Sequence, residues 1–188
     1  MKSVIILLAS VLYLSSCTQK IYPVTGNYPA PPIEIKSSKT FDQVWDNLVD
    51  MFAQKGLSIR IIDRSSGLII SSKSRLSVTI EDNKGALKDP KAYIVVPSYK
   101  DPNTNKMVPV TGQSYNSITK KMEYNEAEGD WNVRVKKTET GCLINVNITN
   151  MYYTKAVMAN YNKVDQLIAL TSGKTTGVFE NFIADYIK

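Results

Sequence analysis

Two segments of the chain alternate strictly between apolar and polar residues, and this alternation limits the possible folds more than any other feature. The segments are residues 131–135 and 144–148, and a Thr-Glu-Thr-Gly turn at 138–141 separates them. Their apolar positions are Trp131, Val133, Val135, Ile144, Val146 and Ile148. Successive side chains of a strand point to opposite faces, so each segment has one apolar and one polar face. The pattern predicts a hairpin within an antiparallel sheet that is covered on one side only.

Four further segments have strand-like patterns, and two long segments between them do not. The strand candidates are residues 57–62, 68–72, 76–80 and 92–96. The first two are joined by a predicted turn over Asp63–Gly67. Residues 97–128 are rich in Asn, Lys, Pro and Ser and are predicted to form a long polar loop, or a loose hairpin through 107–110. Residues 152–170 are compatible with either a helix or a strand.

Two segments have the three-and-four spacing of an amphipathic helix. In residues 41–52 the apolar stripe includes Trp45, and Thr40 with Gln43 forms a capping-box pattern at the start. The second segment, residues 179–187, is predicted to begin after a cap at 175–176. Both helices need a sheet face to cover their apolar stripes.

Two helices and one antiparallel sheet predict the α+β class. We expect a two-layer sandwich in which the sheet packs against an N-terminal and a C-terminal helix, in a single domain over residues 37–188. Residues 40–72, with a Trp-bearing helix, a strand, an Asp-x-x-x-Gly turn and a second strand, resemble the repeating domain of BamC/NlpB-type lipoproteins. This resemblance implies a helix-grip fold and a role in the outer-membrane β-barrel assembly machine. Proteins of that type carry two such domains, whereas this chain has room for one.

The first 17 residues have the order of a secretory leader. Lys2 supplies a positive charge, and residues 4–14 form an apolar run. A permanent membrane span needs about 20 residues, so this shorter run is typical of a signal peptide. The sequence Leu14-Ser15-Ser16-Cys17 resembles the lipobox of bacterial lipoprotein precursors. The resemblance implies that residues 1–16 are removed and that Cys17, as the new N-terminus, anchors the protein in the membrane through acyl chains.

The residues that follow Cys17 predict where the domain lies. Residues 17–36 are rich in proline, which favours an extended tether between the lipid and the domain. No acidic residue directly follows Cys17, so we expect an outer-membrane protein whose domain faces the periplasm. If Cys17 is acylated, Cys142 keeps the only thiol, and we predict that it is a buried small residue in a strand.

The composition excludes most kinds of catalytic site. The chain has no histidine, which excludes Ser-His-Asp and Cys-His nucleophiles and histidine-liganded zinc. Gly173-Lys174-Thr175 has the end of a phosphate-binding loop but lacks its first glycine, since residue 168 is isoleucine. The Ser-x-x-Lys pattern at Ser117 and Lys120 stands without its companion motifs. We therefore predict no catalytic residues, no metal site, no cofactor and no enzymatic activity.

Charged residues give no further site. The acidic candidates, interpreted as solvated turn residues, are Glu81, Asp82, Glu126, Glu128 and Asp130. The positive charges that make up the formal net charge of +6 are scattered. A nucleic-acid platform would interleave basic and aromatic residues on one sheet face, so we expect no nucleic-acid partner. Attraction to anionic lipid headgroups is the more plausible use of the charge.

These observations predict a membrane-anchored, non-catalytic envelope lipoprotein that serves as a protein-interaction or scaffold module. The partner protein would bind the exposed sheet or residues 97–128. The alternative is binding of a small apolar ligand or lipid in a helix-grip cavity between helix and sheet. That alternative requires the cavity to be free of aromatic side chains from the two helices. The side chains that would fill it are Trp45, Phe52, Phe179 and Phe182.

Overall fold

A computed structural model describes residues 20–101, 104–110, 114–116, 121–123, 127–159, 162–169 and 173–188. Within these residues the helices are α1 (Phe41–Gln54) and α2 (Val178–Ile187). The strands are β1 (Ile21–Tyr22), β2 (Ile33–Ser37), β3 (Ile59–Asp63), β4 (Leu68–Ser71), β5 (Ser74–Leu76), β6 (Val78–Thr79), β7 (Ile94–Val95), β8 (Ser98–Lys100), β9 (Met107–Pro109), β10 (Ser114–Asn116), β11 (Lys121–Glu123), β12 (Ala127–Thr138), β13 (Gly141–Ala159), β14 (Asn162–Ala169) and β15 (Lys174–Thr175).

The predicted hairpin of β12 and β13 is confirmed, and it forms the centre of the main sheet. Trp131 lies opposite Ile148, Val133 opposite Val146, and Val135 opposite Ile144. Cross-strand partners share a face of the sheet. All six side chains therefore lie on one face, where each is buried.

The hairpin is much longer than its neighbours, so several short strands pair with different parts of it. On the outer side of β13, β2 pairs with residues 142–146 and β14 with residues 152–159. On the outer side of β12, β5 pairs with residues 127–129 and β4 with residues 132–134. Strand β3 pairs with β4 and ends the main sheet on that side. These seven strands are all antiparallel to their neighbours.

Three smaller sheets complete the described strands. One has the order β1-β8-β9, a second joins β10 and β11, and the third has the order β15-β7-β6. In the third sheet β6 and β7 are parallel. Of the two alternatives predicted for the start of segment 97–128, a loop or a loose hairpin through 107–110, the structure has a hairpin of β8 and β9. The described residues of the ambiguous segment 152–170 are strand.

Helix α1 begins as its sequence predicts. The Thr40 hydroxyl accepts a hydrogen bond from the Gln43 N–H, and the Gln43 side chain accepts one from the Thr40 N–H, so the capping box is confirmed. Helix α2 differs from the prediction at its start. Its N-cap is Gly177, in the left-handed conformation and without a side-chain cap, while Thr175 lies in β15.

The predicted α+β two-layer sandwich of the helix-grip type is wrong, because the structure is mostly β. The two helices span 14 and 10 residues, whereas β12 and β13 alone span 12 and 19. The physical reason is that segments predicted as loop, tether or ambiguous chain are used as strands. In β1 and β2 the backbone N–H and C=O groups pair with strands that are distant in sequence, and a local sequence pattern does not show those partners. In the loop and the ambiguous segment, neighbouring strands pair with each other, β8 with β9 and the end of β13 with β14.

The apolar sides of both helices and of the main sheet meet in one hydrophobic core. Trp131 stacks on Phe179 with 3.9 Å between ring centroids, and the Tyr93 ring contacts both edge-on. Cys142 is also buried there as a free thiol in β13, which confirms its prediction. Burial raises the pKa of that thiol and so keeps it protonated.

The start of the described chain is bound to the domain. Residues 20–37 contain β1, which pairs with β8, and β2, which pairs with β13. These residues are extended, as their proline content favours, but they belong to the folded domain rather than to a free spacer.

Candidate binding surfaces

The residues singled out from the sequence are not brought together into one site. Cys17, Ser117, Lys120 and Glu126 lie outside the described residues. Among the residues that are described, no group of three or more Cys, Asp or Glu side chains could hold a metal ion. No helix in the same ranges is long and apolar enough to cross a membrane.

Glu81 is not a solvated turn residue, because it binds the N-terminal segment. Its Oε2 accepts hydrogen bonds from the Thr25 N–H and hydroxyl, both at 2.8 Å. Its Oε1 accepts them from the Gly26 N–H at 2.7 Å and the Tyr28 hydroxyl at 2.9 Å. Partial burial opposes ionisation of Glu81, but the hydrogen bonds outweigh it and lower the pKa of the carboxyl. Burial, and then the bond to Glu81 and its charge, raise the pKa of Tyr28 to about 12.

Asp130 is likewise a structural residue. It sits beside an irregularity in β12 and is 7% exposed. Its Oδ2 accepts hydrogen bonds from Arg60 at 3.0 Å and the Asn150 side chain at 2.9 Å, and its Oδ1 accepts one from the Lys73 N–H at 2.9 Å. Lys73 and Asn150 both have positive φ angles. One carboxylate therefore holds two strained backbone positions and the edge strand β3 in register.

The turn between β3 and β4 is fixed by its own side chains. Asp63 accepts hydrogen bonds from the N–H and hydroxyl of Ser65 and from the hydroxyl of Ser66. These bonds lower the pKa of Asp63 to about 2, and the bonds from the Ser65 and Ser66 hydroxyls contribute most. The predicted Asp63–Gly67 turn is confirmed. At its end Gly67 contacts β12, because the Val135 N–H donates a hydrogen bond to the Gly67 carbonyl at 2.8 Å.

The open edge of β3 carries exposed apolar side chains. Strand β3 pairs with β4 alone among the described strands. Ile61 is 40% exposed and Ile62 is 52% exposed, although across the strand pair Ile61 lies opposite the half-buried Ile70 and Ile62 opposite the buried Ile69. We call Ile61–Asp63 the β3 edge. The sequence showed that these residues form a strand, but it could not show that the strand lies at an edge, because this depends on pairing.

A groove of about 750 Å³ lies beside the same turn, and most of its charged side chains are basic. Arg64 on its wall is paired with Asp42 at 2.7 Å and with Asp46 at 3.7 Å. The groove's other cations, Arg134, Lys136 and Lys137, make no ion pair in the part of the chain that the structure describes, although the Lys137 Nζ lies 5.2 Å from the Phe41 ring centre. The groove is open and exposed, so its cations are solvated, as predicted for the polar positions of β12.

No protein-family model matches this chain, and no curated protein matches it either. The resemblance of residues 40–72 to BamC/NlpB-type lipoproteins therefore stays a prediction.

Proposed function

We propose that this chain is a non-catalytic lipoprotein of the bacterial cell envelope that binds a partner protein through the β3 edge. Acyl chains on Cys17 hold it in the outer membrane, and the folded domain faces the periplasm. The observation that carries the binding role is the exposure of Ile61 and Ile62 on a strand with one unpaired side in the described structure.

The chemistry of an edge strand defines the kind of partner. Its outward N–H and C=O groups can pair with an added strand, and its side chains give that pairing specificity. Ile61 and Ile62 lie on opposite faces, so they offer apolar contacts above and below such a strand. The partner is thus an extended segment with apolar residues on both faces.

The β3 edge also limits what can bind. An irregularity in the pairing lies between Ile59 and Ile61, and Arg60 at this position is held by Asp130. A bulge interrupts regular pairing and discourages indiscriminate addition of strands. Binding is therefore confined to a short stretch at Ile61–Asp63, which suits a specific partner better than self-aggregation.

Site-specific photo-crosslinking in cells tests this proposal. A photo-reactive residue replaces Ile62 in the full chain, and a control chain carries it at Asp50, an exposed position on α1. We expect a discrete protein adduct from position 62 that position 50 does not give. Ile61→Lys in the same chain should abolish the adduct, because a charge on an edge strand blocks pairing. Equal adducts at both positions, or none at position 62, would contradict the proposal.

The alternative function, an apolar ligand in a helix-grip cavity, is not supported by the core. Trp45, Phe52 and Phe179 are all buried in the hydrophobic core that the helices share with the main sheet, and Phe182 packs against this core. These side chains fill the space that an apolar ligand would need.

A further inference from the structure

The small sheet β1-β8-β9 carries an apolar row on its outward face. Ile21 lies opposite Tyr99, and Tyr99 lies opposite Val108, so the three side chains share one face. Ile21 is 58% exposed, while Tyr99 and Val108 are half-buried. On the opposite face Ser98 is 5% exposed and Met107 packs against the hydrophobic core. The row Ile21-Tyr99-Val108 therefore faces away from the core.

Lysines lie beside this sheet. Lys106 is exposed at the turn between β8 and β9, and the exposed Lys88 reaches the Met107 carbonyl at 3.4 Å. Tyr22 pairs with Ser98 and Lys100 with Met107, so these two residues belong to the other face of the sheet. A row of one tyrosine and two aliphatic side chains next to lysines matches the chemistry of a lipid interface, where aromatic rings sit at headgroup level and lysines contact anionic headgroups.

The short length of chain between Cys17 and β1 limits how far this face can lie from the membrane. Ile21 follows Cys17 by four residues, and four residues span at most about 14 Å. The polar layer of a bilayer leaflet is about 5–8 Å thick. If Cys17 is acylated, β1 must lie in or next to the headgroups. The segment after β1 cannot lift the domain away, because Glu81 binds it at Thr25, Gly26 and Tyr28.

We propose that the outward face of the β1-β8-β9 sheet rests on the lipid surface, so that the domain is docked on the membrane rather than suspended from it. This proposal rests on the acylation of Cys17 in the proposed function. The occupant of the face is a lipid bilayer with anionic headgroups, which the lysines contact while the apolar row reaches the boundary with the acyl chains.

Depth-dependent fluorescence quenching tests the docking. The full-length protein, purified from membranes, is placed in vesicles of zwitterionic and anionic phospholipid that carry a headgroup nitroxide. A fluorophore is attached at Lys106→Cys or Ile21→Cys, and at Ile62→Cys on the β3 edge, which belongs to a different sheet, as the matched exposed control. Lys106→Cys is the decisive site, because a label at position 21 would lie near lipid even if β1 left its sheet.

We expect labels at 21 and 106 to be quenched several-fold more than the label at 62. Quenching at 106 should also weaken when salt is raised, because salt screens the lysines. Quenching at 106 no greater than at 62 would overturn the docking while leaving the anchor intact, provided that the protein floats with the vesicles. Protein that fails to float would overturn both the anchor and the docking. Shielding of position 106 in native membranes but not in vesicles would mean that a protein covers the face, which also overturns the proposal.

Discussion

At the scale of single residues, Glu81 fastens the N-terminal segment to the domain through four hydrogen bonds. Glu81→Gln removes the charge and turns an amide NH₂ toward groups that donate. Hydrogen bonds to a charged group contribute about 1.5–3 kcal/mol each. We therefore expect Glu81→Gln to lower the free energy of unfolding by about 1–3 kcal/mol at pH 7, measured by urea denaturation.

The pH dependence of this effect follows from the lowered pKa of Glu81. Its stabilisation is present above the unfolded pKa of a glutamate, about 4.3, and is lost as the pH falls through the lower folded value. The difference between Glu81→Gln and the parent protein should thus shrink at pH 3. Glu139→Gln, in the exposed β12–β13 turn, is the control and should be neutral at both pH values. A Glu81→Gln effect that persists unchanged at pH 3 would contradict this role.

Glu180 is a buried carboxyl with the opposite behaviour. It is 2% exposed, its Oε1 accepts a hydrogen bond from the Thr175 hydroxyl at 2.7 Å, and its Oε2 has no partner in the described structure. Burial raises its pKa more than the hydrogen bonds lower it. The stability that the protonated form contributes is present below the unfolded pKa and is lost as the pH rises through the raised folded value.

Glu180→Gln should remove this pH dependence. We expect its stability relative to the parent to improve between pH 4 and pH 8, by about 1.4 kcal/mol for each unit by which burial raises the pKa. Thermal unfolding at several pH values measures it. The control is Asp185→Asn on the exposed side of the same helix, where Asp185 pairs with Lys188 and the change should be small. Parallel stability curves for Glu180→Gln and the parent would show that Glu180 is not a buried acid.

At the scale of elements, the β3–β4 turn depends on one glycine. Gly67 has a φ of +68°, and a Cβ there would collide with the Val135 carbonyl oxygen of β12. Gly67→Ala must therefore push β12 and the turn apart. We expect it to destabilise the protein by at least about 2 kcal/mol, since backbone strain alone costs about 1–3 kcal/mol.

Gly56 provides a matched control for this prediction. Its φ is +64°, but a Cβ there has nothing within 4 Å. Gly56→Ala places alanine in a left-handed conformation but causes no steric clash. Urea denaturation should therefore show that it lowers the free energy of unfolding by about 1 kcal/mol. Equal costs at the two glycines would mean that the contact with Val135 does not matter.

Local patterns in the sequence predict some elements well and others poorly. The hairpin at 131–148 and the helix after Thr40 are predicted because alternation, capping residues and spacing are all local. The apolar alternation at 76–80 predicted one strand, but the chain divides it into β5, which pairs with β12, and β6, which pairs with β7. The division follows from partners that are distant in sequence. The role of Glu81 and the exposure of Ile61 and Ile62 were missed for the same reason.

At the scale of the whole molecule, the position of Cys17 in the chain and the division of the exposed surfaces between two sheets suggest how the domain is oriented on the membrane. Cys17 lies four residues before β1, the β1-β8-β9 sheet presents its apolar row outward, and the β3 edge belongs to a different sheet. A protein anchored at Cys17 would thus meet lipid with one sheet and keep the edge of the other for a partner. The membrane anchor and the docking on lipid both depend on acylation of Cys17.

The intact mass of the protein extracted from bacterial membranes tests that acylation most directly. We expect a chain that has lost residues 1–16 and gained the mass of acyl chains at Cys17. A Cys17→Ser chain should retain residues 1–16 and carry no added mass. A parent protein whose mass shows an unmodified Cys17, with or without the leader, would contradict the account.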